Sequence, residues 1–265
     1  MIRFVRYRAD SAVSYGILEE AAVREIRGDP FHYSETGAVR PLSEVKLLCP
    51  CQPSKILAVG GNYRSHMDGR PLFAHPEIFF MPPSALQNPG DPIRIPRDAI
   101  DVHYEGELVV IIGPAASHVS VASAWDHVAG LAVGQDISER ILQMASDPPQ
   151  FSLGKSFPGF GPVGPWLVTL DEFDDPGDLE LGCLINGEQM QQGRTRDMIF
   201  TVPELIEQLS AIAPLLPGDL IFTGTPSGVG MGRKPPRWLA PGDILSSYVE
   251  GIGEMRHRFA APRGT

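Results

Sequence analysis

Apolar residues fall along this chain in short blocks rather than in long helical stripes. Runs of strand length occupy residues 55–60, 78–81, 107–113, 129–134, 165–170, 181–187, 219–224 and 243–249, and Gly or Pro bounds most of them. Residues 2–7 and the stretch around 13–18 have the same character, and the polar, Gly- and Pro-containing segment 27–41 separates them from the denser apolar runs that begin at residue 55. Two windows predict helix: 202–212, where Leu205, Ile206, Leu209 and Ile212 make one apolar face, and 137–145, which opens just after Asp136. Asn186-Gly187, lying between two β-like runs, is the strongest hairpin signal. The pattern predicts a β-rich α+β fold in which a small N-terminal β module, residues 1–50, precedes a larger domain, residues 51–265.

Composition narrows the function classes. The 265 residues include 28 Gly and 26 Pro, which favours many turns, while 43% apolar and 20% charged residues are ordinary for a globular chain. A net charge of −10 and a pI near 5.1 argue against a surface that neutralises phosphates, so no nucleic-acid partner is expected. The basic N-terminus lacks a following apolar stretch of signal-peptide length, and no run approaches a bilayer span. The expectation is a cytoplasmic protein with no membrane partner. Cys49, Cys51 and Cys183 are too scattered for a disulfide framework or a zinc site and are read as reduced thiols.

The candidate chemistry is acidic. In Tyr104-Glu105-Gly106-Glu107, strand alternation turns Glu105 and Glu107 to one face with Val109 and Ile111. Two adjacent carboxylates there are either solvated at an exposed strand end or neutralised by a cation. Asp136, at the end of an apolar run, is either a helix N-cap or a third ligand. Three oxygen ligands suit Mg²⁺, with Mn²⁺ possible, and leave positions open for water and substrate. His103, one residue out of phase with Tyr104 and two before Glu105, is read as a non-ligand. Helical spacing from Asp136 puts Arg140 and Gln143 on one face, as substrate contacts or as a surface pair. Lys155 stands among apolar, Gly and Pro residues, either reaching for water or lining a pocket as a fixed charge. Gly224 and Thr225, in a run of small residues, would let backbone amides approach a substrate carboxylate. The pattern Gly159-x-Gly161-x-x-Gly164 is no dinucleotide site, because Pro162 and Pro165 interrupt it and a strand comes after it.

Over roughly residues 52–260, these segments taken in order resemble the fumarylacetoacetate hydrolase family. The resemblance is carried by the stretches 61–66 (GNYRSH), 79–86 (FFMPPSAL), 104–108 (YEGEL), 136–140 (DISER) with Gln143, 154–157 (GKSF), Asn186-Gly187, 197–200 (DMIF) and 224–228 (GTPSG). It implies a catalytic domain of mixed β-sandwich or roll type, a homodimer, and Mg²⁺ or Mn²⁺ held by Glu105, Glu107 and Asp136. It also implies that Lys155 stabilises developing negative charge and that His66, on a mobile lid, activates water. The implied reaction is hydrolysis of a C–C bond in a small diketo acid such as an acylpyruvate or a fumarylacetoacetate-like compound. Oxaloacetate-type decarboxylation and hydroxymuconate-type isomerisation are the alternatives, and a non-catalytic ligand-binding protein is the distant one. Two positions depart from the family pattern. Many hydrolytic members carry Glu three residues after the lid histidine, where this chain has Gly69 with Asp68 one residue too early, and Met81 stands where Lys is frequent before the Pro pair.

Overall fold

The computed structural model describes residues 2–262, so residue 1 and residues 263–265, the outer ends of the two expected segments, lie outside the described residues. Strand dominates. The larger sheet runs in the order His32–Pro41, Ala22–Asp29, Ala12–Glu19, Arg3–Ala9, Gly161–Val168, Val128–Gln135, Gly106–Ile112, Leu220–Phe222, Ile56–Gly60 and Glu77–Met81. A second sheet orders Glu188–Arg194, Glu180–Ile185, Ile244–Val249, Gly253–Ala260 and Ile93–Arg94. Both sheets mix parallel and antiparallel pairs; Leu220–Phe222 runs parallel to Ile56–Gly60, and Gly253–Ala260 parallel to Ile93–Arg94.

The central strand Gly106–Ile112 is buried on both faces, with Leu108 through Ile112 at 0% exposure. Its even-numbered side chains Leu108, Val110 and Ile112 pack with Val202, Leu205, Ile206 and Leu209 of the helix Val202–Ile212. Its odd-numbered side chains Val109 and Ile111 pack with Phe222, Phe79, Val163 and Leu167. Burying each such side chain contributes about 1.5–3 kcal/mol, which makes this strand a rigid support for whatever its first residues carry. The helix Val202–Ile212 begins with a capping box between Thr201 and Glu204. Ile212, predicted on its apolar face, is instead 83% exposed at the last turn. The Asn186-Gly187 hairpin forms between Glu180–Ile185 and Glu188–Arg194, with φ of 53° and 86° as a type I′ turn requires.

Two segments differ from the sequence reading. The polar stretch 27–41 is not a mere separator: Ala22–Asp29 and His32–Pro41 pair along it, and Asp29 Oδ1 accepts the amides of Phe31 and His32 at the turn. Ladder bonds are made by backbone and need no apolar face, so an edge strand exposed throughout leaves no hydrophobic period to read. The helix expected over 137–145 shrinks to Arg140–Gln143. Its place is taken by Ser138–Glu139, paired with Val102–His103. The amides of Asp136, Ile137 and Arg140 donate to Glu105, Phe160 and Asp101 carbonyls, leaving no helical ladder to start at Asp136. Glu139 is therefore the N-cap, its carboxylate accepting the Leu142 amide at 2.7 Å.

Candidate metal centre and active site

Antiparallel pairing brings the acids together. Gly106 stands opposite Gln135, so Glu105 and Asp136, one residue beyond this pair on their respective strands, face each other, and the Asp136 amide donates to the Glu105 carbonyl at 2.9 Å. Glu107 lies one strand repeat from Glu105 on the same face. One carboxylate oxygen each from Glu105, Glu107 and Asp136 lies within 4.8 Å of the other two, and all three residues are buried. Buried amides fix the surrounding backbone: Gln135 Oε1 accepts the Glu105 amide and Gln191 Oε1 accepts the Gly106 amide, each at 2.9 Å.

Lys155 succeeds the short helix Phe151–Gly154 and is 2% exposed, so it does not reach for water. Its Nζ donates to Glu105 Oε2 at 2.7 Å and to Asp136 Oδ2 at 2.5 Å, and sits 5.1 Å from the Phe79 ring centre. Gly154 makes this placement possible, since a Cβ there would lie 2.6 Å from both Gln143 Cβ and the Glu139 carbonyl oxygen. Arg140 Nη1 donates to Gln143 Oε1 at 2.8 Å, and its Nη2 lies 3.5 Å from Glu105 Oε1. The pair thus reaches the centre, although from a helix that starts at Arg140 rather than through helical spacing from Asp136.

The charge balance bears on whether a cation fits. Burial pushes Glu107 well above the usual carboxylate range, and the neighbouring Asp136 and Glu105 push it further. Asp136 is driven up to about 7 by burial, with Glu105 adding to the rise and Lys155 opposing it. For Glu105 burial also favours the neutral form, but Lys155, His103 and Arg140 outweigh it and hold the carboxyl well below its ordinary value. The cluster is short of positive charge, and Asp136 Oδ1 is buried with no hydrogen-bond partner. Three oxygen donors with one orphaned oxygen fit a divalent cation.

A cavity of about 510 Å³ opens over the centre and is lined by His66, Glu105, Glu107, Arg140, Gln143, Lys155 and Thr225, among others. Gly224 does not line it. Its amide, expected to face a substrate, donates to Glu107 Oε2 at 2.8 Å, while Thr225 Oγ1 donates to the Gly106 carbonyl at 2.9 Å and accepts from Gln191 Nε2 at 2.8 Å. His66 belongs to the four-residue helix Arg64–Met67, which ends at Asp68 in the left-handed conformation. Met67 is buried and Phe73 packs near Gly61, giving this segment apolar anchors. Burial lowers the His66 pKa; Glu105 opposes this, while Arg140, Arg70 and Lys155 reinforce it, so the surroundings favour the neutral imidazole. Among the described residues no carboxylate hydrogen-bonds its ring, and Asp68 is exposed.

Gln135, Gln191, Arg70 and Arg233 were not singled out from the sequence. Gln135 had a signal, an amide at the buried end of an apolar strand, which must find a partner, whereas Gln191 lies inside the polar strand Glu188–Arg194 and had none. Arg70 and Arg233 line the cavity from loops and left no periodic trace.

A mixed-sheet fold with a buried acidic triad, a buried lysine and a histidine over one cavity is that of an enzyme. The chain belongs to the fumarylacetoacetate hydrolase family: the profile described as "Fumarylacetoacetate (FAA) hydrolase C-terminal" matches residues 55–260, and one described as "Rv2993c-like, N-terminal" matches residues 2–50. Protein Rv2993c of Mycobacterium tuberculosis is 43% identical over 240 residues, covering 89% of this chain and 87% of its own. A mitochondrial oxaloacetate tautomerase of Bos taurus is 42% identical over 218 residues, covering 81% of this chain and 69% of its own. The crystal structure of 2-hydroxyhepta-2,4-diene-1,7-dioate isomerase from Mycobacterium marinum matches with a TM-score of 0.88 at 38% identity, covering 100% of each chain. Among the described residues no helix is long and apolar enough to cross a membrane.

Proposed function

We propose that this enzyme moves a proton between carbon and oxygen in a small 2-oxo dicarboxylic acid, as a metal-assisted tautomerase or isomerase, in preference to the C–C hydrolysis that the family resemblance puts first. The observation that carries this reading is the state of His66. It lines the cavity where burial favours its neutral form, no carboxylate is bonded to its ring, and position 69, where a partner acid would stand, is Gly. Activating water requires a base held in one orientation and an imidazolium that is stabilised once formed. Taking a proton from a carbon next to the 2-oxo group needs no third component, since no water has to be held and aligned for attack on a carbonyl. The tautomerase and isomerase names among the relatives point the same way.

Glu105, Glu107 and Asp136 would hold Mg²⁺ or Mn²⁺, which supplies Lewis-acid polarisation of the 2-oxo group when bound. Arg140 and Gln143 would orient the adjacent carboxylate, and Thr225 would close the wall beside it. The Lys155 ammonium would stabilise the enolate oxygen as charge develops. His66 would take the proton from carbon and return it to the enol oxygen, or carry it the other way in the reverse reaction.

The test is to monitor enol-to-keto conversion of oxaloacetate in the ultraviolet, with acetylpyruvate cleavage in parallel. Conversion should be accelerated with Mg²⁺ or Mn²⁺ and lost on chelation. His66→Ala should slow it by about 10²–10⁴, the usual worth of a general base. Efficient acetylpyruvate cleavage with no acceleration of oxaloacetate conversion would return the reading to hydrolysis.

A further inference from the structure

His103 is a buried polar side chain beside the centre that the proposed mechanism leaves without a task. Its backbone pairs with Ser138, next to the centre, and its ring is 0% exposed. The Trp238 ring lies edge-on at 6.1 Å between centres, and the Gly230 backbone packs against the side chain, where a Cβ would stand 3.1 Å from His103 Cβ. The Leu239 amide donates to the Val102 carbonyl at 2.7 Å, fastening this cover. Neither ring nitrogen makes a well-aligned hydrogen bond, a costly state for a group sealed from water. One polar atom is nonetheless within reach, since His103 Nε2 lies 3.3 Å from Glu105 Oε1. The ring is not among the cavity-lining side chains.

We infer that His103 is a positioning residue for the metal centre, its Nε2 standing beside Glu105 Oε1 so that a hydrogen bond made there on metal binding keeps the carboxylate in one orientation. An ionised carboxylate only accepts, so the neutral ring must carry its proton on Nε2 to face it. Lys155 holds Glu105 Oε2 and Arg140 stands 3.5 Å from Oε1, but both also line the cavity, where the proposed function gives them to the substrate. His103 has no such second partner. It therefore fixes Glu105 whether or not substrate is present. Buried groups of this kind set ligand orientation around metals, and their loss commonly weakens metal affinity 10- to 100-fold.

The inference rests on the metal site of the proposed function and not on the reaction assigned to it. Its test compares His103→Gln with His103→Met, two side chains of similar length and volume, of which only the first offers a donor near the Nε2 position. Mn²⁺ affinity is read by calorimetry and the symmetry of bound Mn²⁺ by electron paramagnetic resonance, with metal-free melting temperatures as the control for folding. His103→Met should bind Mn²⁺ about 10- to 100-fold more weakly than wild type with an altered spectrum, and His103→Gln should recover most of the loss. Should His103→Met melt below the assay temperature, His103→Leu takes its place with the same expectation. Equal Mn²⁺ affinity in the donor-bearing and donor-free variants would overturn the inference and leave the ring a packing residue. A wild-type protein that binds no Mn²⁺ would overturn the metal site together with it.

Discussion

The Lys155 ammonium is 2% exposed and bonds two carboxylates, so removing it changes both the charge and the ligand availability of the centre. Lys155→Met keeps most of the volume and deletes the charge. Turnover is expected to fall by about 10² or more, the usual loss when a donor to a developing oxyanion is removed. Divalent affinity should not fall with it, because the ammonium competes for Glu105 Oε2 and Asp136 Oδ2. Steady-state kinetics and Mn²⁺ calorimetry on the same preparation separate the two effects. Unchanged turnover would reduce Lys155 to a wall of the cavity. At this scale the acids were legible in the sequence because a two-residue period states which side chains share a face. Gly224 was misjudged for a physical reason: a small residue announces that something approaches closely, but not whether that neighbour is a ligand or, as here, the Glu107 carboxylate.

At the scale of elements, Asp219 ties the start of Leu220–Phe222 to the loop before Ile56–Gly60. It is fully buried and accepts from the amides of Ser54, Lys55 and Leu216, the Ser54 hydroxyl and the Lys55 ammonium. Burial alone would raise its pKa, but these donors prevail and lower it below the ordinary 3.8. A carboxyl with a depressed folded pKa stabilises the fold fully above its unfolded pKa, and that contribution disappears as pH falls through the folded value. Asp219→Asn is therefore expected to cost about 2–4 kcal/mol at pH 7, with the gap to wild type closing as pH drops below about 4. Denaturant melts across that range would check it, and a gap independent of pH would assign the loss to shape rather than charge. Elements with an apolar face, such as Val202–Ile212 and Gly106–Ile112, were visible as patterns. The exposed edge strand His32–Pro41 was not, because it pairs with its neighbour Ala22–Asp29 through backbone alone and carries no apolar period; the truncated helix at Arg140 was not, because backbone partners distant in sequence decide it.

For the whole molecule, the open question is whether residues 1–50 form a separate body. The larger sheet crosses the expected boundary, with Arg3 opposite Val168 and Phe4 opposite Leu167. The core crosses it too, since Phe4, Ile17 and Ile26 share one cluster with Val109, Val163 and Phe222, and the Arg3 guanidinium lies 5.2 Å from the Trp166 ring centre. Those three buried side chains alone contribute roughly 5–9 kcal/mol at 1.5–3 kcal/mol each, comparable with the net stability of an ordinary domain. Removing residues 1–50 would also strip the pairing partner from part of Gly161–Val168 and open an apolar sheet edge. The fragment 51–265 is thus expected to aggregate or to melt without cooperativity, although it keeps all three candidate ligands. Solubility and a calorimetric scan beside the full chain decide the matter. A sharp transition near that of the full chain, with Mn²⁺ binding retained, would make the N-terminal strands an appendage and locate the stability of the metal centre in the strands Gly106–Ile112 and Val128–Gln135 alone.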